Sequence, residues 1–281
     1  MMNNLYELLM STSEVLEPPE RLTVSQAAEK YRFINQPGAY VGPWKNETVP
    51  YMVKPMDTLS SRDYTGCIFV GPAQTGKTDG LLLNPILHSI ICDPADMIVY
   101  QTSQTVARDF SKRRIDRLHR HSKEVGKRLL KRGDADNTHD KHYSSGVMLT
   151  LSWPTINELS GRPVGRVYLT DYDRMPLDID GEGSPFDLAR KRTTTFGSFA
   201  MTLAESSPGY SVTRDDWVPS TPHEAPPAPG ILALYNRGDR QRWYWPCNHC
   251  GEFYQPEFKL LKWVDSSDLM ECAESARMVC P

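Results

Sequence analysis

No apolar run in the 281 residues approaches the ~18 positions that a membrane-spanning helix needs. The opening stretch, MMNNLYELLMSTSEVLEPP, lacks the basic segment and apolar core of a secretory leader. These two absences predict a soluble, intracellular chain. There is little net charge, −3, so no global field draws nucleic acid, although a local basic patch can do that on a near-neutral protein. Cysteines are few, six in all, and three of them gather near the end. In an intracellular chain that arrangement favours metal over disulfides. With 24% charged and 39% hydrophobic residues the composition is that of a globular protein, and the length suits one α/β domain with a small appendage.

What is present is organised around Cys67 to Gly80, CIFVGPAQTGKTDG. An apolar run, residues 67–70, reads as a buried strand, and Asp79-Gly80-Leu81-Leu82-Leu83 reads as a helix start. Between them Gly71, Pro72, Ala73, Gln74, Thr75, Gly76, Lys77 and Thr78 match G-x-x-x-x-G-K-[ST], the phosphate loop, in the strand–loop–helix context that it requires. Gly71 and Gly76 allow the tight turn that aims successive N–H groups at phosphate. Lys77 is placed to reach the β- and γ-phosphates and Thr78 to ligate magnesium, with Asp79 beside them at the helix start.

Ahead of this loop, helical spacing at Leu5, Leu8 and Leu9 and over residues 22–29 predicts helices. The Pro/Gly-rich segment 35–56 holds Tyr40, Trp44 and Tyr51, which either stack on a base or pack on the domain. Beyond the loop, Pro85 should kink or end the helix Thr78–Cys92. A strand at 97–100, a helix at 106–121 and a strand at 147–153 follow the βα pattern of a parallel sheet. Lys112, Arg113, Arg114, Arg117, Arg120, Lys123, Lys127, Arg128, Lys131 and Arg132 form the one strongly basic region, either a solvated face or a nucleic-acid contact. Residues 133–146, with Asp134, Asp136, Asp140, His139 and His142, read as a flexible loop, since a calcium loop's glycine and terminal glutamate are missing.

Arg166 to Asp171 reads as the second strand of a nucleotide site, ending in a carboxylate that would hold magnesium's water shell. The glutamate that usually follows, the water-activating base, is lacking. Tyr172 stands there, and a phenol is no base at neutral pH. Asp173 would face the same side as Asp171 if the strand continued, so it is the first substitute and Glu158 a weaker one. A helix with a basic end over 187–196 precedes a strand at 199–205, which stops at Ser206, Ser207 and Pro208. Hydroxyls past a strand's C-terminal end either sense the γ-phosphate or form an ordinary turn. Residues 218–230 are a proline-rich connector. Cys247 and Cys250 make a zinc knuckle, and Cys280 begins another. Three thiolates are an incomplete set, Cys272 and His249 have poor spacing to complete it, and the expectation is a chain cut inside its zinc ribbon.

In this order, PGAYVGPWKNETVPY, GPAQTGKTDGLLLN, DPADMIVYQTSQTVARDFSKRRI, LSGRPVGRVYLTDYDRMP, ARKRTTTF with ESSPG, and WYWPCNHCGEF resemble the large subunit of tailed-phage terminases of the lambda type. The resemblance covers roughly residues 30–281. It implies a P-loop NTPase of the additional-strand, helicase- and terminase-like kind, with a mainly parallel central sheet and a zinc-ribbon segment behind it. The implied organisation is a lead-in over 1–60, an ATPase core over 61–240 and the start of a ribbon over 241–281, with the family's nuclease not expected in these residues. The implied activity is an ATP- and Mg2+-dependent motor that drives double-stranded viral DNA into a procapsid, in the host cytoplasm. Its implied partners are a small terminase subunit, the portal, and copies of itself in a ring. By match, Lys77, Thr78 and Asp171 hold phosphate and magnesium, and Ser206, Ser207 and Pro208 form the coupling motif. Among Arg162, Arg166, Arg174, Arg190 and Arg192, the last is the first choice for a finger on the γ-phosphate. Two other classes stay open: a nucleotide-gated assembly or DNA-binding module that hydrolyses little, and a helicase-like DNA-dependent ATPase.

Overall fold

A computed structural model of the chain describes residues 18–131 and 133–281. The expected helix through Leu5, Leu8 and Leu9, and Arg132 of the basic region, lie outside those residues. Helix α1 (Val24–Tyr31) starts at a reciprocal cap: the Thr23 hydroxyl accepts from Gln26 N, and the Gln26 amide oxygen accepts from Thr23 N. A hairpin, β1 (Phe33–Gln36) and β2 (Tyr40–Pro43), and the short helix α2 (Val53–Thr58) lead into β3 (Gly66–Val70).

After β3 the chain enters a π-helical stretch, Thr78–Leu83, that runs directly into α3 (Asn84–Ile91). Pro85 has no N–H to give the Leu81 carbonyl, so a change of helix type just before it replaces the expected kink. Next come β4 (Met97–Tyr100), then α4 (Gln104–Phe110) and α5 (Asp116–His121) joined by a second π stretch, Ser111–Ile115, and then α6 (Lys123–Arg128). Strands β5 (Asp140–His142) and β6 (Met148–Ser152), helix α7 (Ile156–Ser160), β7 (Arg166–Thr170), α8 (Pro185–Thr193), β8 (Met201–Ser206) and α9 (Ile231–Asn236) complete the main body.

The central sheet has six strands in the order β3-β8-β7-β4-β6-β5, and every pairing is parallel except that of β5. This is the mainly parallel α/β sheet that the sequence predicts. The edge strand β5 corrects the reading of residues 133–146 as a flexible loop. Lys141 is buried there and bonds Asp136 at 2.6 Å and Asp116 at 3.3 Å, while the Thr150 hydroxyl donates to Asp140 at 2.9 Å. A polar composition concealed a strand whose charges are internally paired.

Strand alternation divides the core in two. One face (Cys67, Phe69, Met97, Val99, Tyr168, Leu203) packs on α1, α2, α3 and α5; the other (Ile68, Val70, Ile98, Val167, Leu169, Ala204) packs on α7, α8 and α9. His88 and His119 lie in the first layer, where Nε2 of each meets the Leu22 carbonyl and the Tyr143 hydroxyl, both at 2.8 Å. Burial pushes each imidazole down from its ordinary 6.5 to about 4. The unfolded chain therefore binds protons that the folded chain refuses, and stability is lost as pH falls from about 6.5 toward 4, by roughly 3 kcal/mol per histidine at most. Melting temperature should accordingly drop between pH 7.5 and pH 5, and a His88→Gln/His119→Gln variant should show a clearly shallower pH dependence in thermal scans.

Candidate functional site

Residues 71–77 wrap around the C-terminal end of β3. Two of them carry positive φ, Gln74 at 61° and Gly76 at 75°. At Gly71 the constraint is spatial, because a Cβ there would lie 2.7 Å from the Phe69 ring. Gly71 N donates to the Ser206 carbonyl at 3.2 Å, which carries the β3–β8 ladder one step into the loop. The Thr75 hydroxyl donates to Pro72 O at 2.9 Å, and Tyr51 donates to Thr75 O at 3.1 Å from the lead-in segment.

Lys77 is buried, and its ammonium donates to Pro72 O at 2.7 Å, Ser207 Oγ at 3.2 Å and Gly71 O at 3.3 Å. Its three donors are thus held by the loop itself and by the segment after β8. Thr78 opens the π stretch, half-buried. Asp79 takes no part in the loop's interior. It anchors Arg32 at 2.7 Å, with Gln36 at 3.3 Å and Arg114 at 3.8 Å, and so ties the β1–β2 hairpin to the helix start. Of the lead-in aromatics, Trp44 is buried in the core, Tyr40 is exposed, and Tyr51 alone bonds the phosphate loop.

Strand β7 ends at Thr170, and Asp171 turns the chain with φ 52° into a 3-10 turn, Tyr172–Arg174. The premise that the strand continues, which put Asp171 and Asp173 on one side, is therefore corrected. Asp171 is exposed, and its carboxylate has no hydrogen bond or ion pair among the described residues. Asp173 accepts from Ile231 N at 2.6 Å and Gly209 N at 2.8 Å, and its own N–H donates to Ser206 Oγ at 3.1 Å. It locks the exit of β8 to the start of α9. Tyr172 is buried in the second core layer, and Glu158 accepts from the Ser152 hydroxyl at 2.7 Å.

Arg192 is buried and donates to Arg162 O at 2.8 Å and Glu158 O at 3.3 Å, so it is occupied inside its own subunit rather than presented as a finger. Arg166 is likewise buried, against Ser89 and Asp93, whereas Arg162, Arg174 and Arg190 are exposed. Ser206 and Ser207 stand at the end of β8, with Pro208 exposed behind them.

One residue of the site went unread in the sequence. Glu205, 2% exposed, sits on β8 in register with Phe69 of β3 and Thr170 of β7. Its Oε1 accepts from the Thr170 hydroxyl and from Asp171 N, and its Oε2 is buried without a partner among the described residues. Burial pushes its carboxyl up, the Asp171 carboxylate adds to that, and Lys77 opposes it. The signal was available: a carboxylate ending an apolar run, the same feature that singled out Asp171.

Apart from this edge, the sulfurs of Cys247, Cys250 and Cys280 lie within 4.8 Å of one another. The hairpin β9 (Trp245–Pro246) and β10 (Phe253–Tyr254) carries the first two, and the pair β11 (Leu261–Lys262) and β12 (Arg277–Met278), with helix α10 (Leu269–Ser275) between them, brings up the third. Backbone N–H groups of Cys250 and His249 lower the Cys247 thiol to about 6. Three convergent thiols fit three corners of a tetrahedral zinc site, and Cys272 is turned away to Ser266 O at 3.3 Å. Lys112, Arg113, Arg117, Arg120, Lys123 and Lys127 are exposed along α4–α6.

The family model described as "Phage terminase large subunit gpA, ATPase domain" matches residues 38–281. Among solved structures, the HK97 bacteriophage large terminase aligns at a TM-score of 0.48 and 11% identity, over 66% of this chain and 38% of that one. No curated protein matches the chain in sequence.

If Asp173 is a lock, Asp173→Ala should lower stability by about 3 kcal/mol in urea denaturation, since two N–H donors lose their acceptor. Gly230→Ala should do comparable damage, because φ there is +74° and a Cβ would stand 2.2 Å from Asp173 Oδ1. The cysteine cluster should take up one zinc per chain in a chelator-competition titration, and Cys247→Ser should weaken that uptake at least ~10-fold.

Proposed function

The chain belongs to the phage terminase large-subunit gpA ATPase family, and on that premise we propose that it hydrolyses ATP to move double-stranded viral DNA into a procapsid. The observation that carries the reading is the phosphate loop at the C-terminal edge of β3, with Lys77 folded against the end of β8 and the Asp171 carboxylate free on the neighbouring strand. A hydroxyl and a carboxylate are oxygen donors of the kind magnesium takes, so Thr78 and Asp171 are the residues that would hold it. When bound, the ion neutralises charge on the β- and γ-phosphates.

The chain's own residues do the rest. Backbone N–H groups of 71–78 cradle the phosphates, and Lys77 exchanges its carbonyl and Ser207 contacts for phosphate oxygens. That exchange frees the segment after β8, the natural route from nucleotide occupancy to Ser206, Ser207 and Pro208. Exposed arginines at 174 and 190 are placed to complete a neighbouring subunit's site in a ring, whereas Arg162, also exposed, donates to the Thr150 hydroxyl at 2.7 Å. The exposed basic face of α4–α6 suits a DNA phosphate backbone. A small terminase subunit and the portal are the partners this reading entails, and the host cytoplasm the place.

Residues 1–60 would serve as lead-in, 61–240 as motor core and 241–281 as a zinc-binding segment holding Cys247, Cys250 and Cys280. No nuclease role is assigned to any residue of this chain. Tyr172 in the position of the usual base favours a second reading, a nucleotide-gated module that binds ATP and turns it over little. Steady-state ATP hydrolysis with and without double-stranded DNA separates the two. DNA-stimulated turnover that Lys77→Ala lowers at least ~100-fold is expected; tight binding without turnover would favour the module.

A further inference from the structure

The motor reading leaves one step without a residue: no carboxylate follows Asp171, and Asp173 has both oxygens occupied by backbone N–H groups. Glu205 has the opposite character. It is a buried acid on β8, the strand that separates the phosphate-loop strand β3 from the Asp171 strand β7. In a parallel sheet, residues in register point to one face. Glu205 shares its row with Phe69 and Thr170, on the face where the helix that begins at Thr78 packs. One oxygen is fixed by the Thr170 hydroxyl and Asp171 N; the other has no partner among the described residues. A carboxylate oxygen left bare inside a protein is costly unless something bound later satisfies it. The contacts that fold the loop against this strand end, Lys77 to Gly71 O, Pro72 O and Ser207 Oγ, are those that bound phosphates would displace.

We propose that Glu205 Oε2 accepts a hydrogen bond from the attacking water and orients it toward the γ-phosphorus, the role that a glutamate after Asp171 would otherwise fill. The inference rests on the ATP-hydrolysing reading above. In the step, a bond forms from water oxygen to the γ-phosphorus as the bond to the β–γ bridging oxygen breaks. The electron pair leaves with ADP, and the water's proton ends on the released orthophosphate. Glu205 is regenerated unchanged, with Oε1 held by Thr170 throughout.

The test compares wild type, Lys77→Ala, Glu205→Gln and Glu205→Asp for steady-state ATP turnover with double-stranded DNA. Affinities for ATP and for ADP–aluminium fluoride are measured on the same proteins. Glu205→Gln should lose at least ~100-fold in kcat, hold ATP within about threefold, and lose its preference for the transition-state mimic. Glu205→Asp, which withdraws the carboxylate but keeps its charge, should lose at least ~10-fold in kcat with ATP affinity kept, and it decides the matter should the Gln variant fail to fold. Turnover within threefold of wild type in either variant overturns the Glu205 assignment while leaving the motor reading intact. So does a parallel loss of ATP affinity and kcat in both, the mark of a structural role. A wild type that never turns over ATP, or a Lys77→Ala protein that still does, overturns the motor reading and Glu205 with it.

Discussion

The site depends on one strand pairing. β8 lies between β3 and β7, in parallel register with both, so the phosphate loop and the Asp171 turn never touch through their own strands. Residues 205–207 bridge them directly, and Asp173 adds a second link through Gly209 N and Ile231 N. The ladder continues past the last formal pair, because Gly71 N still donates to Ser206 O. Side chains repeat the arrangement on both sides: Lys77 reaches Ser207, Asp173 N reaches Ser206 Oγ, and Thr170 reaches Glu205. A one-residue slip of β8 would turn Glu205 to the apolar face beneath α8 and α9, which makes this register strongly specified.

From that pairing follows a division of labour among the acids. Asp173 is committed to Gly209 N and Ile231 N, and Gly230, at φ +74°, lets the chain come close enough to be held. Asp79 is committed to Arg32, a pair nearly as buried as the core, so it fixes the β1–β2 hairpin beside the helix start. Buried charge pairs add little net stability over apolar substitutes, yet losing one partner is expensive, and such pairs hold geometry well. Asp171 and Glu205 remain: one exposed with a free carboxylate, one buried with a free oxygen.

Much of this was legible. The apolar run at 67–70, the glycine spacing and Lys77 require a strand, a turn and a helix start because no other local structure satisfies those residues, and the βα alternation requires a mainly parallel sheet. Three things were not legible, each for a physical reason. β5 hides because its buried Lys141 reads as surface until Asp116 and Asp136 are seen to pair with it. The fate of residues 171–174 turns on one left-handed φ at an aspartate, which side-chain alternation cannot foresee. Arg192 looks free in a basic helix end, and only the fold brings the Glu158 and Arg162 carbonyls to it.

The tyrosine after Asp171 then has an account in terms of layers. The turn that follows β7 sends residue 172 into the second core, among Met175, Ile179, Phe186 and Leu188, where a large ring adds on the order of 2 kcal/mol of burial. A glutamate there would carry a charge into an apolar layer, at a desolvation cost to the turn that presents Asp171. Placing the acid one strand over, on β8, removes the conflict. The packing face keeps its aromatic, the nucleotide face keeps a carboxylate, and the Thr170 hydroxyl, the last side chain of β7, joins the two. The departure from the usual pattern is in this sense local, a transfer of an acid across one ladder of the sheet, and the register of β8 is what makes the transfer geometrically possible.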